Sequence, residues 1–135
     1  MQTFLPVANF HASAQMLDYR RLGRQRVEAK QLINAIITGE GGWTHHPAAH
    51  MWQHNLGALM RYHDICIAEW VRRGYKNTMA PFGVRVCLLP IWFGDDLFHS
   101  RHRAALLAKD PVFYQKYDWK EQPKVEYLWP TYPEN

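Results

Sequence analysis

The chain has 135 residues, 47% hydrophobic and 21% charged, which suits one compact globular domain and leaves little room for a second. Its longest apolar stretch, Val86 to Phe93, is short and carries Pro90, and no positive region followed by an apolar run opens the chain, so neither a transmembrane helix nor a secretory signal is expected. The net charge of +4 is concentrated: Arg20, Arg21, Arg24, Arg26 and Lys30 stand against the single acid Glu28, and the remainder of the chain balances to zero.

In chain order, Asn9 is a candidate cap for a short helix through Phe10, Ala12, Ala14, Met16 and Leu17. A longer helix is predicted from Asp18 to about Thr38, stopped by Gly39, Gly41 and Gly42. Leu22, Ala29, Ile33 and Ile36 recur at helical spacing and turn one stripe to the core. A polar, glycine-rich loop leads to Pro47, which is suited to the first turn of a second helix running to Arg73 and ending at Gly74. Its buried side is expected to carry Trp52, Leu56, Leu59, Met60, Ile67 and Trp70. Residues 77–93, with Pro81, Gly83 and Pro90, read as an irregular crossing segment. A third helix fits Leu97 to Lys109, capped near Asp95 or Asp96 and closed by Asp110-Pro111. The tail alternates charge with Phe113, Tyr114, Tyr117, Trp119, Tyr127, Trp129 and Tyr132. The expected fold is all-α, a single domain over residues 1–135 with three main helices and a loop-rich aromatic C-terminal tail. Cys66 and Cys87 have no CxxC spacing, which points to a reducing, cytoplasmic setting with both thiols in or near the core.

A neutral body with one cationic segment is the footprint of a protein that meets a polyanion along one face, nucleic acid being the commonest such partner. A solvated helix face is the plainer reading. Glu28 is an intrahelical partner of Arg24 in that plainer reading. In the functional one it stabilises positive charge developing on a sugar, or moves a proton there. His45, His46, His50 and His54 form a second cluster, the last three at helical spacing. They could chelate a divalent metal, with His99 and His102 as further candidates, but no HExxH motif and no acid or cysteine at ligand spacing accompanies them. Otherwise they would contact phosphate or base, orient a carboxylate or cap the helix. Tail aromatics interleaved with Lys116, Lys120 and Lys124 either finish a small core or offer a surface for exposed bases.

Several segments in the same order resemble the pyrimidine-dimer DNA glycosylase family, small helical repair enzymes of phage and bacteria. Leu17-Asp18-Tyr19-Arg20-Arg21-Leu22, continuing through Arg26-Val27-Glu28-Ala29, is similar to the family's basic helix with an internal glutamate. His45-His46-Pro47 resembles an Asn-His-Pro element of the bacterial branch. Leu56, Leu59, Arg61, Ile65, Glu69 and Arg73-Gly74-Tyr75 resemble its central helix. Ser100 to Leu107, then Lys109, Pro111, Tyr114, Lys116 and Tyr117, resemble its C-terminal helix and aromatic-lysine tail. The resemblance spans about 100 of the 135 residues.

It implies an all-α enzyme without a metal, nucleotide or other cofactor, acting as a monomer on duplex DNA that contains pyrimidine dimers or a related damaged or modified base. It also implies a place in the cytoplasm at the nucleoid and away from membranes. The free N-terminal amine would attack the anomeric carbon, with abasic-site lyase activity following through a Schiff base. Carried onto this chain, the catalytic residues are Met1 and Glu28. DNA contacts fall to Arg20, Arg21, Arg24, Arg26 and Lys30, with His46, His50, Lys116 and Tyr117 beside them. The bulky Gln2 favours retention of Met1, so the nucleophile is the Met1 amine, or water, or the lyase step is lost. A second register sets Arg20-Arg21-Leu22-Gly23-Arg24 against the phage string Arg-Glu-Leu-Pro-Arg and puts Arg21 where that string has its acid. The register that uses Glu28 is preferred. Two alternatives differ in class: a non-catalytic DNA-binding module of the same fold, and a histidine-ligated, metal-dependent hydrolase.

Overall fold

The computed structural model describes residues 2–130. Six helices follow in order, α1 (Phe10–Met16), α2 (Tyr19–Thr38), α3 (Pro47–Trp52), α4 (Leu56–Arg72), α5 (Asp96–Lys109) and α6 (Pro111–Tyr114), then a 3-10 turn at Gln115–Tyr117. Among the described residues there is no strand, and the fold is all-α. Local chemistry sets most boundaries. Asn9 caps α1 by accepting from the Ala12 N–H at 2.8 Å. Asp18 caps α2, and Gly39 ends it in the left-handed region at φ 67°, a conformation glycine adopts without a Cβ penalty. Asp95 caps α5 through the N–H groups of Leu97 and Phe98 at 3.0 and 3.2 Å.

The second long helix is not continuous. It divides into α3 and α4 at Gln53 to Asn55, where Asn55 takes φ −135°, ψ 50°, outside the helical region. The Asn55 Nδ2 donates to the Leu88 carbonyl at 3.1 Å, and asparagine readily favours such side-chain bonds over the helical ladder. Trp52 is meanwhile fully buried and donates its indole N–H to Thr3 Oγ1 at 2.9 Å. The apolar phase continues from Trp52 to Leu56, which is why spacing alone shows no break.

Helices α2 and α4 form the main packed pair. Leu22, Ala29, Leu32 and Ile33 of α2 meet Leu59, Tyr62 and Cys66 of α4 in one core that also takes in Phe98 and Leu106 of α5. The approach is tight at Gly23, where an added Cβ would lie 2.9 Å from the Trp70 ring. The segment between α4 and α5 is irregular, as expected. Side chains of α4 pin it: Asp64 accepts from the N–H groups of Phe82 and Gly83 at 2.9 and 2.8 Å, and Arg61 donates to the Val84 carbonyl. No helix among the described residues is long and apolar enough to cross a membrane. Cys66 is buried, Cys87 is half-buried, and both are free.

The start of the chain is an irregular arm, buried from Gln2 to Pro6 and tied to four helices. Gln25 of α2 donates Nε2–H to the Gln2 carbonyl at 2.6 Å and accepts the Phe4 N–H on Oε1 at 2.9 Å. Thr3 meets Trp52 of α3, and the Tyr62 hydroxyl of α4 reaches the Phe4 carbonyl at 3.0 Å. In α5, His102 Nδ1 accepts the Leu5 N–H at 2.8 Å and His99 Nδ1 lies 2.7 Å from the Leu5 carbonyl.

Candidate active site

Helix α2 and this arm form one side of an open cleft of about 1000 Å³. Gln2 and Phe4 of the arm, Arg20, Arg21, Arg24, Gln25 and Glu28 of α2, and Phe113, Val125 and Tyr127 of the C-terminal part all line it. A smaller aromatic recess of about 570 Å³ adjoins it, sharing Tyr19, Arg20, Arg24 and Glu28 and adding Trp43 and Trp70.

Glu28 stands where the two meet. Its side chain is 15% exposed, and its ion-pair partner among the described residues is Arg24, at 3.3 Å with 78% of that side chain in solvent. An exposed partner screened by water contributes only a few tenths of a kcal/mol. The carboxylate is therefore held mainly by its place on α2, and Glu28 lines both the cleft and the recess. Arg20 lies over the Tyr19 ring at 5.7 Å and donates to its hydroxyl at 3.0 Å, so its charge stays at the rim. Arg21 pairs with Asp18 at 3.1 Å. Burial alone would raise the Asp18 carboxyl, but hydrogen bonds from Tyr114 and Arg21 outweigh it and hold the group below its usual range. Tyr114 donates to Asp18 at 2.6 Å and accepts the Asp18 N–H at 3.0 Å, fastening the start of α2 to α6.

The other basic residues of α2 face elsewhere. Arg26 stacks 4.5 Å over Trp70 and donates to Asn77 at 2.6 Å. Lys30 lies 4.7 Å over the Phe82 ring. Neither lines the cleft. His46 caps α3 by accepting the Ala48 N–H at 3.0 Å, with its ring edge-on to Trp43 and Trp129; burial lowers its pKa. His45, His50 and His54 are exposed. Among the described residues, no group of three His, Cys, Asp or Glu side chains is arranged to hold a metal ion. His99 and His102 are buried and committed to the arm. Lys116 sits 4.0 Å over Phe113, a cleft-lining ring, while the Tyr117 hydroxyl donates to the Met16 carbonyl at 3.0 Å. Tyr114, Trp119 and Tyr117 stack on one another. Met1 and Tyr132 lie outside the described residues.

Sequence reasoning passed over Gln25, Tyr19 and Trp43. Gln25 had a usable signal: it is three residues after Leu22 and four before Ala29, a polar side chain on the apolar stripe of α2. A family model described as pyrimidine dimer DNA glycosylase matches residues 1–81, which include the arm, α2 and α4, and the chain belongs to that family. The resembling residues 100–117 lie beyond the matched range. No curated protein and no solved structure matches the chain.

Proposed function

We propose that the chain is a DNA repair glycosylase that releases the base at a pyrimidine dimer, or at a related damaged or modified base, in duplex DNA and then cleaves the abasic strand as a lyase. One observation carries this reading: Gln2, the residue next to the amino terminus, and Glu28, the lone acid of the basic run, line one cleft. An α-amine has an ordinary pKa of about 8, so a useful fraction is unprotonated at neutral pH, and nearby arginines lower it further. Such an amine can attack C1′ of the damaged nucleotide. The glycosidic bond then breaks with its electron pair leaving on the base; the nitrogen loses a proton, the sugar ring opens at C1′–O4′ with O4′ taking up a proton, and the new C–N bond becomes an imine. Glu28 stabilises the positive charge that develops on the sugar and accepts a proton during β-elimination. Arg20, Arg21 and Arg24 hold the flanking phosphates and bend the backbone so that the lesion reaches the cleft. Arg21 is already paired with Asp18 and is cationic, which favours the register in which Glu28 supplies the carboxylate.

The test incubates the protein with a UV-irradiated, end-labelled duplex and sodium borohydride. An adduct that maps to Met1, together with a strand break, supports both steps. Base release without an adduct supports a glycosylase that uses water. Salt-sensitive binding with no release, break or adduct overturns the enzymatic reading and leaves a DNA-binding module.

A further inference from the structure

We propose that Gln25 is a positioning residue for this reaction, its buried amide fixing the backbone of Gln2 against α2, in the cleft that Glu28 also lines; the inference rests on the amine-nucleophile reading above. Gln25 is 2% exposed and makes two opposed bonds to the arm, Nε2–H to the Gln2 carbonyl at 2.6 Å and Oε1 from the Phe4 N–H at 2.9 Å. This is the pattern by which one strand grips another, made here by a side chain. The Phe4 N–H requires an acceptor and the Gln2 carbonyl a donor, so Oε1 faces Phe4 and Nε2 faces Gln2; the Tyr62 hydroxyl also meets Oε1. The amide thus has one orientation.

The rest of the arm has other anchors: Trp52 on Thr3, Tyr62 on Phe4, His99 and His102 on Leu5. Gln2 does not. Its own side-chain Oε1 folds back onto the Thr3 N–H at 2.8 Å, and its Nε2 is buried with no partner among the described residues. Among those residues, the Gln25 bond is the hydrogen bond that holds the Gln2 backbone. Gln25 precedes Glu28 by three residues on the same helix. One rigid element therefore carries both the grip on the arm and the carboxylate, which suits a reaction whose rate depends on their separation. An apolar side chain in this place would leave the Gln2 carbonyl and the Phe4 N–H without the bonds that the amide makes.

Two variants test this, Gln25→Leu and Gln25→Glu, each followed by single-turnover kinetics on saturating UV-irradiated duplex, trapped-adduct amplitude, DNA affinity and melting temperature. Gln25→Leu is expected to bind DNA as the unaltered protein does and to trap to the same final amplitude, with a rate lower by roughly tenfold to a hundredfold. In Gln25→Glu the protonated carboxyl can donate to the Gln2 carbonyl while still accepting the Phe4 N–H. Its rate relative to the unaltered protein should therefore rise toward acid pH and fall as the carboxyl ionises. Unchanged rates in both folded variants overturn the proposal, as does a loss confined to amplitude with no change in rate or its pH profile. If Gln25→Leu fails to fold, the pH profile of Gln25→Glu decides. If the unaltered protein itself forms no adduct, the amine-nucleophile reading falls and this inference falls with it.

Discussion

Gln25, His99 and His102 are buried polar residues that each bond the N-terminal arm; His99 Nε2 also accepts the Gly94 N–H at 3.0 Å, and His102 Nε2 is buried with no partner among the described residues, an arrangement that carries a cost. His102 accepts the Leu5 N–H on Nδ1, and burial pushes its pKa down to about 3; burial lowers His99 as well. Such groups take up protons more readily in the unfolded chain. Their contribution to stability is complete above the ordinary histidine value of about 6.5 and is lost as pH falls from there toward the folded value. Asp18 and Glu69, also held below their usual pKa, add a further loss in the same direction at lower pH, through the carboxylate range. Thermal melts should thus show stability falling between about pH 6.5 and 4.5, before the carboxylates titrate. His102→Asn retains an acceptor for the Leu5 N–H and removes a titrating ring. It should cost about 1–2 kcal/mol at pH 7 and make that decline shallower; an unaltered slope would show that His102 does not drive it.

Helix α2 unites the functional residues because it touches the arm, the cleft and α4 at once. Its start at Asp18 and its stop at Gly39 were readable, since each acts through bonds to near neighbours. The division of α3 from α4 was not, because the apolar phase runs on through Trp52 and Leu56 and the competing contact, Asn55 to Leu88, lies 33 residues away. The arm was equally hidden: it has no periodic pattern, and its partners lie from 21 to 97 residues further along. Arg26 and Lys30 are four apart, and helical phase sets them on a face away from Arg20 and Arg24, so counting charge without phase merged two faces. The helix pair also gives a packing prediction. Trp70 is stacked on Tyr75 at 4.3 Å, lies beneath Arg26 and donates to the Lys76 carbonyl, so its ring has little room to shift. Gly23→Ala, whose Cβ would fall 2.9 Å from that ring, should destabilise by about 1–3 kcal/mol, exceeding the helix-propensity gain of about 1 kcal/mol. Chemical denaturation measures the balance, and a stabilised variant would contradict this packing.

For the whole molecule, a neutral body with one cationic segment becomes a cleft whose rim carries Arg20 and Arg24 beside the carboxylate of Glu28. DNA affinity should decline with salt, and Arg20→Ala or Arg24→Ala should each lower the slope of log affinity against log salt by about 1. Lys30→Ala, whose ammonium rests on Phe82, should change it less. Equal effects at all three would mean that charge number, and not the cleft, governs contact. Charge and the resemblance of α2 pointed to DNA and to Glu28 in the sequence, whereas the placing of Gln2 and Glu28 along one cleft required the fold. The most direct test compares the unaltered protein with Glu28→Gln on UV-irradiated duplex, measuring base release in a single turnover alongside DNA affinity. The expected result is a loss of about a hundredfold or more in rate with binding retained or tightened, because one negative charge is removed from beside Arg20 and Arg24. Base release at the unaltered rate would contradict the assignment of Glu28 and, with it, the catalytic reading of this cleft.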